Sequence, residues 1–135
     1  MITFLLDTNI CIYIIKQNQP EVFERFKSLS PGSVGISTIT AAELYFGVNK
    51  SLWPEKNRTA LEQFLIPLEI VEFNYEAAIR YGEVRGPLEK SGKPIGPLDT
   101  LIAAHALSLN IILVTNNLKE FARIPGLKLE NWAKT

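Results

Sequence analysis

Apolar and polar positions along this chain change rhythm repeatedly, and each change predicts an element. Ile2, Phe4, Leu5 and Leu6 form a short apolar run that Asp7 stops, which reads as a buried strand. Ile10, Ile12, Ile14 and Ile15 follow at spacings that leave the segment apolar on most sides, as in a deeply buried helix. Gln17 to Pro20 breaks that helix, and Pro20 suits the first position of another, with Val22, Phe23, Phe26 and Leu29 at helical spacing. Ser30 to Ser33 is a turn, and Val34 to Ser37 is a second strand. A helix is expected from about Thr40 to Lys50, and another from Pro54 that turns Leu61, Phe64 and Leu65 inward.

Leu68 to Phe73 reads as a third strand, and its glutamates place it at a sheet edge. Tyr75 to about Lys90 is helical, Ser91 to Pro97 is a loop of turn residues, and Pro97 opens a helix running to about Leu109. Ile111 to Thr115 is the clearest buried strand, and Leu127 to Glu130 is a weak final one. Strands alternate with helices, which predicts an α/β domain with a central, mainly parallel sheet covered on both faces. No repeat or linker divides the 135 residues, so one domain over 1–135 is expected.

Composition narrows the chemistry. The chain is 47% hydrophobic, enough for a sizeable core without disulfides. Cys11 is the only cysteine, so an intramolecular disulfide and a cysteine-rich zinc site are excluded. The first apolar run lacks a basic flank and is too short for a signal peptide, and no stretch approaches a membrane span. A cytoplasmic location is expected. Fourteen basic residues balance 14 acidic ones, so any nucleic acid must be bound through a local basic patch or a metal. No Gly-x-Gly-x-x-Gly or phosphate-cradling lysine loop follows the first strand, which argues against nucleotide cofactors.

The candidate chemistry is acidic. Asp7 follows the first strand, where ligands collect in open α/β sheets. Glu43 is expected in the first turn of the helix after the second strand, Asp99 in the first turn of the helix opened by Pro97, and Asn117 and Glu120 just after the fourth strand. Each also fits a structural role. Asp7 suits an N-cap, Thr40 and Glu43 fit a capping box, Asp99 complements a helix dipole, and Asn117 suits a turn. A parallel sheet brings such positions to one end. Carboxylates gathered there raise one another's pKa, and Mg²⁺ or Mn²⁺ would neutralise them through oxygen ligands.

Four words in order along the chain carry a resemblance: Leu6-Asp7-Thr8-Asn9-Ile10, Thr40-Ala41-Ala42-Glu43-Leu44, Gly96-Pro97-Leu98-Asp99, and Val114-Thr115-Asn116-Asn117 with Glu120-Phe121. The sequence resembles the PIN-domain ribonucleases of the VapC toxin type. The resemblance implies a three-layer PIN-like fold and a Mg²⁺-dependent endoribonuclease, with Mn²⁺ a possible substitute. It implies inhibition by a VapB-like antitoxin whose tail lies over the active site, and a homodimer. It carries metal binding onto Asp7 and Asp99 and catalytic roles onto Glu43 and Glu120, with Thr8, Asn9, Thr115 and Asn117 as supporting polar groups. Many relatives have an acid at the position of Asn117; an amide there brings no charge, and Glu120 stands one helical turn away to supply it. An activated water would leave a 5′-phosphate and a 3′-hydroxyl. The likeness is to the enteric VapC proteins, which implies initiator transfer RNA, cut in its anticodon region, as the first candidate substrate.

Two other readings stay open. A haloacid-dehalogenase-like phosphatase also places Asp after its first strand, but wants a second acid where this chain has Asn9. A non-catalytic PIN-fold binding module would have no need of Asp7, Glu43 and Asp99 together. His105, the only histidine, is expected to be packed and hydrogen-bonded rather than catalytic, and Cys11 to be a small core residue. Arg80, Arg85 and Lys93 are candidate RNA contacts or a solvated face. Tyr45, Phe46, Trp53 and Phe64 offer aromatic surface for a partner, with simple packing the default for Trp53.

Overall fold

Alternate side chains of a strand point to opposite faces of a sheet, and the first strand shows what that does here. In a computed structural model that describes residues 2–133, β1 (Phe4–Leu6) sends Phe4 and Leu6 into one hydrophobic core and Leu5 into another. Both faces must therefore be covered. Helices α1 (Thr8–Lys16), α2 (Pro20–Ser28), α3 (Thr38–Asn49) and α4 (Pro54–Leu65) build the first core with Ile10, Ile14, Val22, Leu44 and Leu61. Helices α5 (Tyr75–Lys90) and α6 (Pro97–Leu109) build the second with Val84, Leu88, Ile102 and Ala106. The result is three layers, as the alternation of elements predicts.

The sheet also contains β2 (Val34–Ser37), β3 (Glu69–Val71), β4 (Ile112–Val114) and β5 (Leu129–Glu130). Its order is β3-β2-β1-β4-β5, and every pairing is parallel. β1 lies in the middle, with Leu5 opposite Gly35 on one side and Leu113 on the other. β2 and β3 approach closely at Gly35, where a Cβ would stand 2.8 Å from the Glu69 carbonyl oxygen, so only glycine fits. β3 is an exposed edge, in line with its glutamates.

The chain runs outward from β1 through β2 to β3, then returns to lay β4 on the other side of β1. The carboxyl ends of β1 and β4 flank this reversal, and such a crevice is where open α/β sheets hold ligands. Two local readings are corrected. α3 starts at Thr38 rather than Thr40, because Ser37 caps it by accepting from the Ile39 N–H at 3.0 Å. A short helix not read from the sequence, α7 (Leu118–Phe121), follows β4 and buries Phe121 completely. No helix among the described residues is long and apolar enough to cross a membrane.

Candidate active site

Asp7 leaves β1 in extended conformation and caps α1, its Oδ1 accepting from the Ile10 N–H at 2.9 Å. Its backbone N–H donates to the Val114 carbonyl, which locks it beside the end of β4. The side chain is only 4% exposed. Burial is the main reason its pKa is pushed up to about 6, with the charges of Asp99 and Glu43 adding to the rise. Hydrogen bonds from the Thr115 side chain and the Ile10 backbone pull the other way. Asp7 is thus both a cap and a desolvated carboxylate. The two roles use different capacity, because an ionised carboxylate has several acceptor positions.

Glu43 stands in the second turn of α3, not the first. The expected capping box is absent: Ser37 is the cap, the Thr40 hydroxyl is buried with no hydrogen-bond partner among the described residues, and Glu43 Oε1 instead accepts from the Thr8 hydroxyl at 2.6 Å. That bond joins α1 to α3. Asp99 lies in the first turn of α6, opened by Pro97, and is half-buried. Burial raises its pKa, and Glu43 and Glu120 raise it further.

Thr115, fully buried, follows β4 and accepts from the Asn117 N–H at 2.9 Å. This turn aims Asn117 at Glu120, whose Oε2 accepts from the Asn117 amide. Asn116 projects the opposite way and donates to the Tyr13 hydroxyl at 2.7 Å, tying the loop to α1. Asn9 is exposed on the first turn of α1.

The structure therefore couples Asp7, Glu43, Asp99 and Glu120 electrostatically at the carboxyl end of the sheet, with Thr8, Thr115 and Asn117 bonded to the members of that cluster. The donors are all oxygen, which suits a hard cation rather than zinc. Among the described residues no three acids close on a single point as a finished ligand cage. An open set of this kind fits an ion that keeps several waters and takes one or two carboxylates, as Mg²⁺ does.

The remaining candidates lie elsewhere. Arg80 and Arg85 are exposed on α5 and paired along their own helix, with Glu83 at 3.2 Å and Glu89 at 3.7 Å. Lys93 is exposed in the loop before α6. His105 is packed as expected, 1% exposed, with Nδ1 2.8 Å from Ser37 Oγ. Cys11 is fully buried. Trp53 does not pack: it is 69% exposed, and Phe46 is 65% exposed. Phe64, expected as part of the same aromatic surface, is buried against Phe26 with ring centres 5.9 Å apart. Beside Glu43, an apolar groove of about 270 Å³ runs between α1, α3 and α4, lined by Ile12, Ile15, Leu44, Gly47 and Leu61. The Ser37–His105, Thr8–Glu43 and Tyr13–Asn116 pairs were not legible in the sequence. Their partners are far apart in the chain and leave no period.

Comparison with known proteins places the chain in a family and a fold. The PIN domain family model matches residues 4–127. The tRNA(fMet)-specific endonuclease VapC of Salmonella typhimurium is 46% identical over 132 residues, covering 98% of this chain and 99% of that protein. Among solved structures, DNA-bound VapBC from Salmonella typhimurium matches with a TM-score of 0.93 and 45% identity, covering 98% of this chain and 100% of that one. VapBC2 from Rickettsia felis, bound to a DNA fragment from its promoter, matches at 0.91 and 46%, covering 98% and 99%. A central strand that runs into the helix-capping Asp7, acids brought together at the sheet reversal and near-complete overlap with these relatives lead to one conclusion: the chain belongs to the PIN-domain family, within its VapC ribonucleases.

Proposed function

We propose that this protein is a divalent-metal-dependent endoribonuclease, the toxin of a toxin–antitoxin pair, and that it cuts a transfer RNA in the anticodon region. The observation that carries the reading is the pair Asp7 and Asp99, both buried enough to have raised pKa values and both raised further by neighbouring acids. A fold keeps such a cluster at a cost, and a bound cation offsets it.

Asp7 and Asp99 would hold Mg²⁺ or Mn²⁺. The ion would supply an acidified water and charge compensation at the phosphate. Glu43 has one carboxylate oxygen held by Thr8. Its other oxygen is left to accept the proton of the attacking water, and the products are a 5′-phosphate and a 3′-hydroxyl. Glu120, accepting from Asn117, adds the charge that an amide at Asn117 does not bring. Thr115 holds Asp7, and Asn9 is an exposed polar group at the entrance. The phosphatase reading lacks its second acid, since Asn9 occupies that position.

Zero net charge disfavours indiscriminate attraction to RNA backbones. The named specificity of the Salmonella relative for tRNA(fMet) supports a transfer RNA as substrate, and unpaired loop bases are where side chains read RNA best. Arg80, Arg85 and Lys93 would steady the flanking stem. The carboxylate partners of the two arginines are exposed, so those ion pairs are weak and phosphate can compete for them. The groove beside Glu43 fits an apolar tail of the antitoxin, in line with the VapBC complexes of the relatives.

The test is cleavage by antitoxin-free protein with Mg²⁺ or with chelator, followed by sequencing of the 5′-phosphate ends that appear on induction in cells. One dominant cut in a transfer-RNA loop supports the proposal. Scattered messenger-RNA cuts with transfer RNA intact refute the substrate, and chelator-resistant cleavage refutes the metal.

A further inference from the structure

Glu43 and Asp99 come from different helices, and something must fix the distance between those helices. The buried pair Ser37 and His105 lies at their junction. Ser37 is the last residue of β2 and the cap of α3, the helix that carries Glu43. His105 is on α6, the helix that carries Asp99. Their side chains meet at 2.8 Å, and both residues are at most 1% exposed.

The donor and acceptor inventory assigns the bond a direction. Ser37 Oγ already accepts from the Ile39 N–H, and its one proton has no other partner among the bonds of the described residues. Donation of that proton to Nδ1 is the arrangement that uses it, and it puts the ring proton on Nε2, which is buried without a hydrogen-bond partner among the described residues. The ring is wedged edge-on against Phe73 at 5.4 Å, and the Phe73 N–H donates to Thr38 Oγ1 on the first residue of α3. Burial keeps the imidazole neutral at neutral pH. Ring, hydroxyl and Phe73 thus form one wedge between the start of α3 and the middle of α6, within a well-packed interior that transmits displacement.

We infer that Ser37 and His105 are positioning residues, whose hydrogen bond sets the separation of α3 and α6 and so the spacing of Glu43 from Asp99. The inference rests on the reading of those two acids as the active site. Neither Ser37 nor His105 touches the reacting groups. Their effect is on how well the acids converge on a cation, and sites of this kind tolerate displacements of only about 0.5 Å.

The experiment is a calorimetric Mn²⁺ titration of the full chain, well below its melting temperature, together with the kcat and KM of RNA cleavage. His105→Leu removes the bond and keeps bulk. His105→Asn places an amide where Nδ1 was. Val22→Ala, in the core on the other face of the sheet, is the control for general loss of stability. His105→Leu should weaken Mn²⁺ binding roughly 10-fold and lower kcat while leaving the RNA KM unchanged, and His105→Asn should restore most of both. If His105→Leu does not fold, Ser37→Ala takes its place with the same expectation. Wild-type affinity in the bond-deleted variant, or a loss no larger than in Val22→Ala, overturns the inference. Wild-type protein whose Mn²⁺ binding ignores Asp99→Asn overturns the acidic-site reading, and this inference with it.

Discussion

The Thr8 hydroxyl donates a 2.6 Å hydrogen bond to Glu43 Oε1, across 35 positions of sequence. It joins the first turn of α1 to the second turn of α3 and fixes the one acid of the cluster that no helix end holds in place. Thr8→Val should lower kcat about 10-fold with little change in RNA KM, as loss of an outer partner does in metal sites. Thr8→Ser, which keeps the hydroxyl, should stay close to wild type. Equal rates for Thr8→Val and wild type would show that Glu43 needs no tether.

Asp7→Asn separates the two roles of Asp7. Asparagine caps a helix as well as aspartate does, so the fold should survive. Cleavage should fall more than about 100-fold, the scale of several kcal/mol of lost charge stabilisation. The metal-free variant should melt higher than metal-free wild type, because a carboxylate disfavoured by burial has gone. A variant that melts lower and still cleaves would make Asp7 a cap and nothing more.

The acid limb of stability has an unusual sign. The folded pKa of Asp7 is about 6 against an ordinary value of 3.8, so the native state binds the proton more tightly than the unfolded chain. Metal-free protein should therefore gain stability from this group as pH falls from about 6 to about 4, by at most about 3 kcal/mol. His105 opposes it: its pKa is lowered below 6.5 by burial, so its contribution is lost as pH falls below that value. Urea melts of wild type and Asp7→Asn between pH 4 and pH 7 isolate the Asp7 slope, and parallel curves would remove it. Mn²⁺ affinity should weaken below about pH 6, where ion and proton compete for the same carboxylate.

Mg²⁺ or Mn²⁺ at 100 times its dissociation constant should stabilise the native state by about 2.7 kcal/mol, a rise of about 10 °C in melting temperature. Asp7→Asn and Asp99→Asn should blunt the rise. No shift at saturating metal, in protein shown to be active, contradicts the picture of a cluster that the cation relieves.

Gly47 lines the groove beside Glu43, and a Cβ added there meets nothing within 4 Å. Gly47→Leu should therefore fold, with a small gain in helix propensity, and cleave normally. It should need at least about 10-fold more antitoxin for inhibition, the effect of about 1.4 kcal/mol of lost binding. Unchanged inhibition would place the antitoxin elsewhere. Light scattering on the same samples checks the dimer: exposed Phe46 and Trp53 should be covered in a second copy, and monomer alone at micromolar concentration would exclude that.

What the sequence made legible was local. Leu6 to Asp7 marks a strand end because a charge ends an apolar run, and Pro97 with Asp99 marks a helix start. Alternation of elements was enough for three layers and a parallel sheet. The start of α3 was misplaced because Ser37, Thr38 and Thr40 all have capping hydroxyls, and only the sheet register selects Ser37. The exposure of Trp53 was not legible, since an apolar ring reads as core material until the packing is known, whereas the burial of Phe64 was legible from its helical spacing with Leu61 and Leu65.

The strand order has a consequence for how the protein is made. β1 leaves the ribosome long before its neighbour β4, with Thr115 and Asn117 behind that strand. At about 5–20 residues per second, Asp7 waits roughly 5 to 20 seconds for that strand. A nascent or prematurely terminated chain that lacks β4 has no crevice and none of the polar groups beyond Val114. Such a chain carries Asp7 and Glu43 but not the Val114 carbonyl that locks Asp7 at the end of β4.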